Sequence, residues 1–455
     1  MVLLSIALIW LTGGLLVAVL HAPVQSWRSI RLTDLPLAFG VGAVLLHIAF
    51  LLMSWWGPVP LWSFVVVPAA LGAILFWRQR CRSASPLPGH VGEASSLGVW
   101  AALGGLLLVQ WLMLVPALDL PLFDWEGRML WALKAKFLAA DFTVSSEPFR
   151  DPYRLHIHPR YPLLVPWLTA LLGRSGDGFR EGHYLAVILT FALLTTWQLY
   201  RCLVRTVGWL AALAGSVILI ASSCWYTAEI NLQVEIVLAF YLLLALCCLI
   251  EWLESRQKAN LCLAGVLLAG AVMTKNEGIL LAGCVVGALA VVNWYRGQAG
   301  KALFVAGALL GLVLLLTLPW FAQMQAIPAV SDENYLQRLS IEVFTVDMAR
   351  LPLTLRNFMM QMADWELWHV FWLVVPPLVL LTLFLWHRVT SALRLVALVW
   401  LGYFLGVMAV YVISPWTDIA LHIDNSFDRV MLPLLPCGLL LLGLLADRRS
   451  FRNLA

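Results

Sequence analysis

The sequence is poor in charged residues. Only 12% of its 455 residues are charged and 62% are hydrophobic, whereas about 25% of the residues of a soluble globular protein are charged. This composition excludes a soluble enzyme and a disordered regulator. The formal net charge of +4 leaves no basic stripe to which a nucleic acid could bind. Several apolar stretches approach or exceed about 18 residues, the length of a membrane-crossing helix, so we predict an all-α polytopic membrane protein.

Paired cysteines of the CxxC type are also missing. The eight cysteines lie in apolar segments or beside basic loops, and their spacing predicts neither a zinc site nor a disulfide framework. We interpret them as small buried side chains.

Hydropathy predicts about thirteen transmembrane helices. They cover roughly residues 1–20, 35–56, 61–77, 97–117, 183–200, 207–226, 236–250, 260–274, 278–294, 302–321, 368–386, 395–414 and 430–446. The connections on one side hold 16 Lys and Arg against 5 Asp and Glu, and those on the other side hold 13 against 20. The positive-inside rule then places the N-terminus outside and the C-terminus in the cytoplasm.

The long polar segments lie on the predicted outer side. The chain divides into a three-helix membrane extension (1–96), a membrane module (97–446) and a cytoplasmic tail (447–455), and the module carries outer loops at 118–182, 322–367 and 415–429. The apolar piece 161–173 is too short to span a bilayer. We predict that it is a helix lying in the outer interface, with Trp167 as its anchor.

Two carboxylates, Asp124 and Glu126, precede a predicted amphipathic helix at the membrane surface, residues 128–138. Asp124 stands at the N-cap position of that helix. Two interpretations of Asp124 stay open: a residue that caps the helix, or a carboxylate fixed at the bilayer surface as a general base.

Polar residues also border the apolar runs. Glu235 and Lys275 lie at membrane depth, where polar groups are costly enough to indicate function; the alternative is a mutual ion pair that joins two helices. Arg160 and Arg429 lie where a lipid phosphate would be, and Arg binds phosphate with two charge-assisted bonds. Simple snorkelling is the alternative for both. Charge gathered at one face favours an enzyme over a transporter, whose sites lie near the bilayer midplane.

The order of these motifs resembles the GT-C superfamily of integral-membrane glycosyltransferases, in particular bacterial members similar to protein mannosyltransferases and lipid A aminoarabinose transferases. The motifs are FDWEGRMLWALKAKFLAADF (123–142), HPRYPL (158–163), NLQVEIVLAFY (231–241), TKNEG (274–278) and HIDNSFDRVMLPLLP (422–436). The resemblance covers roughly residues 97–446. Glu235 stands where aspartate is more usual in the family, and three predicted helices precede the usual first helix.

The resemblance implies a GT-C-like fold with juxtamembrane helices in the first large outer loop. It implies an inverting glycosyltransferase that moves a sugar from a polyprenyl-monophosphate-linked donor to an acceptor hydroxyl at the outer face of the bacterial cytoplasmic (inner) membrane. The implied catalytic residues are Asp124, Glu126 and Glu235, with Asp124 as the base and Glu126 as the other candidate for it. The implied ligands of the donor phosphate are Lys275, Arg429 and Arg160. Further substrate-binding candidates are His158, Tyr161, Glu277, His422 and Asp428.

The acceptor stays open between a glycan, a lipid and a protein. The resemblance implies no required cofactor, although Asp124, Glu126 and Glu235 could share a divalent cation through oxygen ligands. Two alternative functions remain: a polysaccharide ligase or polymerase that uses a polyprenyl-diphosphate donor, and a membrane transporter or flippase.

Overall fold

The computed structural model describes residues 2–21, 34–80, 97–115, 121–122, 124–176, 178–297, 299–328 and 348–447. The predicted tail beyond residue 447 and the centre of the predicted outer loop 322–367 lie outside the described residues.

Helices make up nearly all of the described chain. The α-helices are α1 (Val2–His21), α2 (Leu35–Met53), α3 (Val66–Arg80), α4 (Leu97–Leu114), α5 (Leu133–Asp141), α6 (Glu147–Arg150), α7 (Leu164–Arg174), α8 (Glu181–Val207), α9 (Trp209–Ala221), α10 (Ser223–Ile230), α11 (Glu235–Ser255), α12 (Lys258–Val272), α13 (Glu277–Tyr295), α14 (Ala299–Met324), α15 (Leu351–Met362), α16 (Trp365–Trp368), α17 (Phe371–Phe384), α18 (Ser391–Val412), α19 (Ile419–Asp424), α20 (Phe427–Met431) and α21 (Leu434–Ala446). A π-helical stretch, Glu126–Ala132, leads into α5. Short 3₁₀ helices cover Leu61–Val65, Pro152–Ile157, Met348–Arg350 and Trp386–Arg388.

Among the described residues, ten helices are long and apolar enough to cross a membrane, and an eleventh span results if α9 and α10, bent by 57° at their junction, are counted as one. The prediction of an all-α polytopic membrane protein is confirmed. The predicted count of thirteen is not confirmed, because α12 and α17 have only 15 and 14 residues. A helix of that length rises about 21–23 Å, which is less than the roughly 30 Å of a hydrocarbon core.

Helix α11 is the most enclosed of the spans. Of its most apolar 18-residue window, 83% is buried inside the protein, and it packs against α8, α12, α18 and α21. The free energy of an apolar side chain is about the same whether it contacts lipid or protein. Close packing and not hydrophobicity therefore determines the position of such a helix. The first residue of α11, Glu235, is therefore held in one position.

Helices α1 and α2 cross with their backbones in contact. A Cβ atom built on Gly13 would lie 1.7 Å from the carbonyl oxygen of Ala38, and one on Gly42 would lie 1.9 Å from that of Ile9. Only glycine fits at these two positions, as is common where membrane helices approach closely.

The predicted interface helix 161–173 is observed as α7, but its surroundings differ from the prediction. Trp167 is fully buried, with its ring 5.2 Å from that of His47, 5.9 Å from Phe50 and 5.8 Å from Phe64. The prediction that Trp167 anchors the chain in the lipid interface is wrong. Hydropathy could not separate the two cases, because a protein interior is as apolar as lipid.

Candidate active site

Several helix ends meet at one end of the bundle. Helices α11 and α13 begin there and α12 ends there, so Glu235, Lys275 and Glu277 all come from these termini. The residues that follow α4 bring Asp124 and Glu126, and α20 brings Arg429. Asp124, Glu126, Glu235, Lys275, Glu277 and Arg429 are named here the charged cluster.

A buried ion pair lies at the centre of the charged cluster. Lys275 Nζ donates to Glu235 Oε1 at 2.5 Å and lies 3.2 Å from Glu277 Oε1. Glu235 and Glu277 open their helices and Lys275 follows the end of α12, which is the arrangement that helix dipoles favour. Burial opposes the charge of Lys275, but Glu235, Glu277 and Glu126 outweigh it and raise its pKa well above the ordinary lysine value.

The turn between α12 and α13 depends on Gly278. A Cβ atom at this position would lie 2.0 Å from the carbonyl oxygen of Ala271. The two helices therefore approach closely enough to place Lys275 and Glu277 side by side, which no larger residue at position 278 would permit.

A second ion pair joins the segment that follows α4 to α20. Arg429 Nη1 lies 2.5 Å from Glu126 Oε2, and the side chains are 14% and 25% exposed. Burial alone would raise the pKa of Glu126, but Lys275 and Arg429 lower it below the ordinary glutamate value. Glu126 is thus a carboxylate at neutral pH.

Asp124 caps the π-helical stretch. Its Oδ2 accepts a hydrogen bond from the backbone nitrogen of Gly127 at 2.7 Å, as the capping interpretation predicts. Partial burial raises the pKa of Asp124, against the opposing effects of this hydrogen bond and of Arg429. A cap that uses Oδ2 leaves Oδ1 able to accept a proton, so capping and general-base chemistry are compatible in Asp124.

An aromatic box adjoins the charged cluster. Lys134 Nζ lies 5.0 Å from the ring centre of Trp131 and 5.2 Å from that of Tyr161. The ring of His158 lies 5.0 Å from that of Tyr161 at an interplanar angle of 39°, and His158 is among the groups that lower the pKa of Glu126. Residues Trp131 and Tyr161, which hold Lys134 between them, are named here the aromatic box.

The remaining substrate-binding candidates come from the predicted loop 415–429. The ring of His422 stacks on Trp416 at 4.9 Å, and its Nδ1 is hydrogen-bonded to Ser414 Oγ at 3.1 Å. Burial, followed by the charge of Arg429, lowers the pKa of His422 to about 4, so its imidazole is neutral at pH 7. Asp428 lies next to Arg429 in α20, and its charge acts on that guanidinium.

Arg160 lies apart from these ion pairs. Within the described residues its Nε donates to the carbonyl oxygen of Ile327 at 2.8 Å. The structure therefore brings Lys275 and Arg429 together with the carboxylates, and it places Arg160 on the segment that follows α14.

Two buried polar groups near this end were not among the predicted site residues. Lys134 is fully buried, although its helical position predicts an exposed side chain. Glu229 in α10 accepts hydrogen bonds from Gln110 at 2.6 Å and from Trp225 at 2.7 Å. The signal for Glu229 was present in the sequence, because Gln110 is a polar residue within the apolar run of α4.

Residues 159–320 match a family model, described as dolichyl-phosphate-mannose-protein mannosyltransferase. The chain resembles the GT-C membrane glycosyltransferases. The match confirms the resemblance predicted from the order of the motifs, and glycosyl transfer is the class of reaction to which it points. Glu235 and Lys275 lie inside the matched stretch, whereas Asp124 and Arg429 lie outside it. No curated protein sequence matches the chain.

Solved structures of such enzymes are similar to this chain. ArnT from Cupriavidus metallidurans bound to undecaprenyl phosphate is 18% identical over 78% of this chain and 62% of its own, with a TM-score of 0.49. In its apo state ArnT is 18% identical over 77% of this chain and 60% of its own, with a TM-score of 0.48. The protein O-mannosyltransferase Pmt1-Pmt2 complex of S. cerevisiae, bound to the sugar donor, is 15% identical over 53% of this chain and 36% of its own, with a TM-score of 0.40. The chain thus spans about three fifths of the length of ArnT, and a similarity this low identifies no ligand.

Proposed function

We propose that the protein is an inverting glycosyltransferase that moves a sugar from a polyprenyl-monophosphate donor to an acceptor hydroxyl at the outer face of a bacterial cytoplasmic membrane. The observation that carries this proposal is the charged cluster, in which one carboxylate with a raised pKa, Asp124, lies near two cations, the buried Lys275 and the partly exposed Arg429. The family model over residues 159–320 supports the class of reaction.

Asp124 acts as the general base in this proposal. The acceptor oxygen forms a bond to the anomeric carbon while the bond from that carbon to the phosphate oxygen breaks, and the acceptor proton passes to Asp124. A general base typically contributes about 10²–10⁴-fold to a rate. Its efficiency is greatest when its pKa is close to the working pH, and the burial that raises the pKa of Asp124 moves it in that direction.

Arg429 and Lys275 stabilise the departing polyprenyl phosphate. Arg429 is the more accessible cation, since its partner Glu126 is 25% exposed, whereas Lys275 and Glu235 are almost completely buried. The donor phosphate therefore replaces Glu126 on Arg429 first, and Lys275 supplies a fixed positive charge behind it. Because the donor phosphate would meet Arg429 with Lys275 behind it, we propose that no divalent cation is required.

The test compares the wild-type protein with Asp124→Asn, both purified in detergent and mixed with bacterial lipids and a water-soluble periplasmic extract. Mass spectrometry follows the loss of polyprenyl-monophosphate sugars and the appearance of free polyprenyl phosphate. We expect discharge by the wild type and not by Asp124→Asn. Asp141→Asn is the matched control, because Asp141 is an exposed aspartate at the end of α5 and its loss should leave discharge unchanged.

Three other outcomes would each change or refute the proposal. Normal discharge by Asp124→Asn together with an inactive Glu126→Gln would make Glu126 the base. Loss of polyprenyl-diphosphate sugars in place of monophosphate sugars would indicate a ligase or polymerase. If the wild type discharged neither donor with acceptors supplied, the proposed glycosyl transfer would be wrong.

A further inference from the structure

Two cysteines lie against each other far from the charged cluster. Cys202 is in α8 and Cys247 is in α11, and their sulfur atoms are 2.7 Å apart. The amide nitrogen of Gln198, a smaller atom than sulfur, lies 3.3 Å from the same Cys202 sulfur. The distance between the two sulfurs is thus shorter than the distance from the Gln198 nitrogen to the Cys202 sulfur. Only a short movement would bring the sulfurs to the 2.03–2.05 Å of a disulfide bond.

The two helices hold this pair in register. One turn beyond the cysteines, Arg205 Nη1 in α8 lies 2.8 Å from Glu251 Oε1 in α11. The ion pair and the thiol pair therefore connect the same two helices at successive turns. Because α11 is buried along most of its length, the helix that carries Cys247 is held in place by its neighbours.

Cys202 is the more accessible of the two thiols. It is partly exposed, whereas Cys247 and Cys248 are buried. A small-molecule disulfide would therefore reach Cys202 first. Cys248 follows Cys247 directly, so its side chain is turned by about 100° around the axis of α11.

We propose that Cys202 and Cys247 form a reversible disulfide that cross-links α8 to α11. The bond forms between the two sulfur atoms, and the two thiol protons and two electrons pass to a small-molecule disulfide, which is reduced to two thiols. The more exposed Cys202 attacks this oxidant first, and Cys247 then displaces the small thiol from the mixed disulfide.

The cross-link would act on helices that carry the candidate active site at their other ends. Cys247 lies twelve residues after Glu235 in α11, a rise of about 18 Å. In α8, the hydroxyl of Tyr184 donates to the carbonyl oxygen of Leu232 at 2.7 Å, just before α11 begins. Oxidation would therefore prevent α8 and α11, the two helices that support Glu235, from shifting along their axes relative to each other.

The experiment counts thiols in the full chain in detergent. The protein is reduced, freed of reductant, incubated with excess oxidised glutathione, denatured and labelled with N-ethylmaleimide. The reduced protein should take up eight labels, one for each cysteine, and the oxidised protein should take up two fewer. Trypsin cleaves after Arg201, Arg205 and Arg256, so peptide 202–205 should be found cross-linked to peptide 206–256.

Variants identify the partner within peptide 206–256, which also contains Cys224 and Cys248. The cross-linked peptide should persist in Cys224→Ser and Cys248→Ser and disappear in Cys247→Ser. The proposal would be overturned by eight labels after oxidation, or by a cross-link that survives Cys247→Ser. If a variant fails to fold, fragmentation of the wild-type cross-linked peptide in the mass spectrometer shows which cysteine of 206–256 is joined to Cys202, and the assay does not depend on glycosyl transfer.

Discussion

The ion pair between Lys275 and Glu235 allows a structural role to be separated from a chemical one. Both side chains are almost completely buried, at 4% and 2% exposure. Replacing Lys275 with methionine keeps most of the volume of the stem but leaves the Glu235 carboxylate without its ammonium partner. Removing one member of a buried pair costs about 3–5 kcal/mol, and we expect a loss of stability of that size.

The double variant Glu235→Gln/Lys275→Met removes both charges and should regain most of this stability, because a neutral pair of similar volume carries no uncompensated charge. Activity should not return with it. A hydrogen bond to a charged group contributes about 1.5–3 kcal/mol, so the loss of Lys275 from the transition state should reduce turnover by about 10- to 100-fold.

Unfolding in detergent, followed by tryptophan fluorescence, measures the stability of each variant, and the initial rate of donor discharge measures its turnover. A double variant that regains both stability and wild-type turnover would refute the proposed role, since Lys275 would then only tie α12 to α11. A single variant as stable as the wild type would refute the reasoning about the buried pair itself.

Four further results are expected. Arg429→Ala should raise the KM for the lipid donor more than Arg429→Lys, because lysine keeps the charge; equal, negligible effects would make Arg429 an interface anchor. Since burial raises the pKa of Asp124, turnover should fall as the pH drops through a value above the ordinary aspartate pKa of about 3.9; a pH–rate limb at or below that value would contradict its role as base. Lys134→Met should lower stability by about 2 kcal/mol through loss of the cation from the aromatic box, whereas the exposed control Lys136→Met should not, as thermal unfolding would show. EDTA should leave the discharge rate unchanged, and a loss that Mg²⁺ restores would contradict the proposal.

Much of the charged cluster could be predicted from the sequence because charge is expensive in a membrane. Each charged residue must lie near a helix end, and the alternation of basic and acidic connections assigns those ends to one face or the other. That reasoning was sufficient to place Asp124, Glu235, Lys275 and Arg429 on the same side. It could not show that Glu126 pairs with Arg429, since those two residues lie in loops far apart in the sequence.

Burial could not be predicted in the same way. Lipid and protein interior are equally apolar, so a hydropathy pattern does not tell which face of a helix meets lipid and which meets another helix. This limit explains why Trp167 and Lys134 were expected at a surface although both side chains are buried. The short helix α12 illustrates the same limit, because neighbouring helices can cover an apolar segment that is too short to span a bilayer.

The π-helical stretch Glu126–Ala132 has a consequence for insertions and deletions. A π-helix closes its hydrogen bonds one residue later than an α-helix, as the bond from the nitrogen of Leu133 to the oxygen of Arg128 shows. The π stretch holds one residue more than an α-helix that turns through the same angle, so removing one residue would let it revert to an α-helix with α5 in its present orientation. Inserting one residue would instead rotate α5 by about 100° relative to Asp124, so that Lys134 would leave the aromatic box. This part of the chain should therefore accept the loss of one residue far more readily than the gain of one.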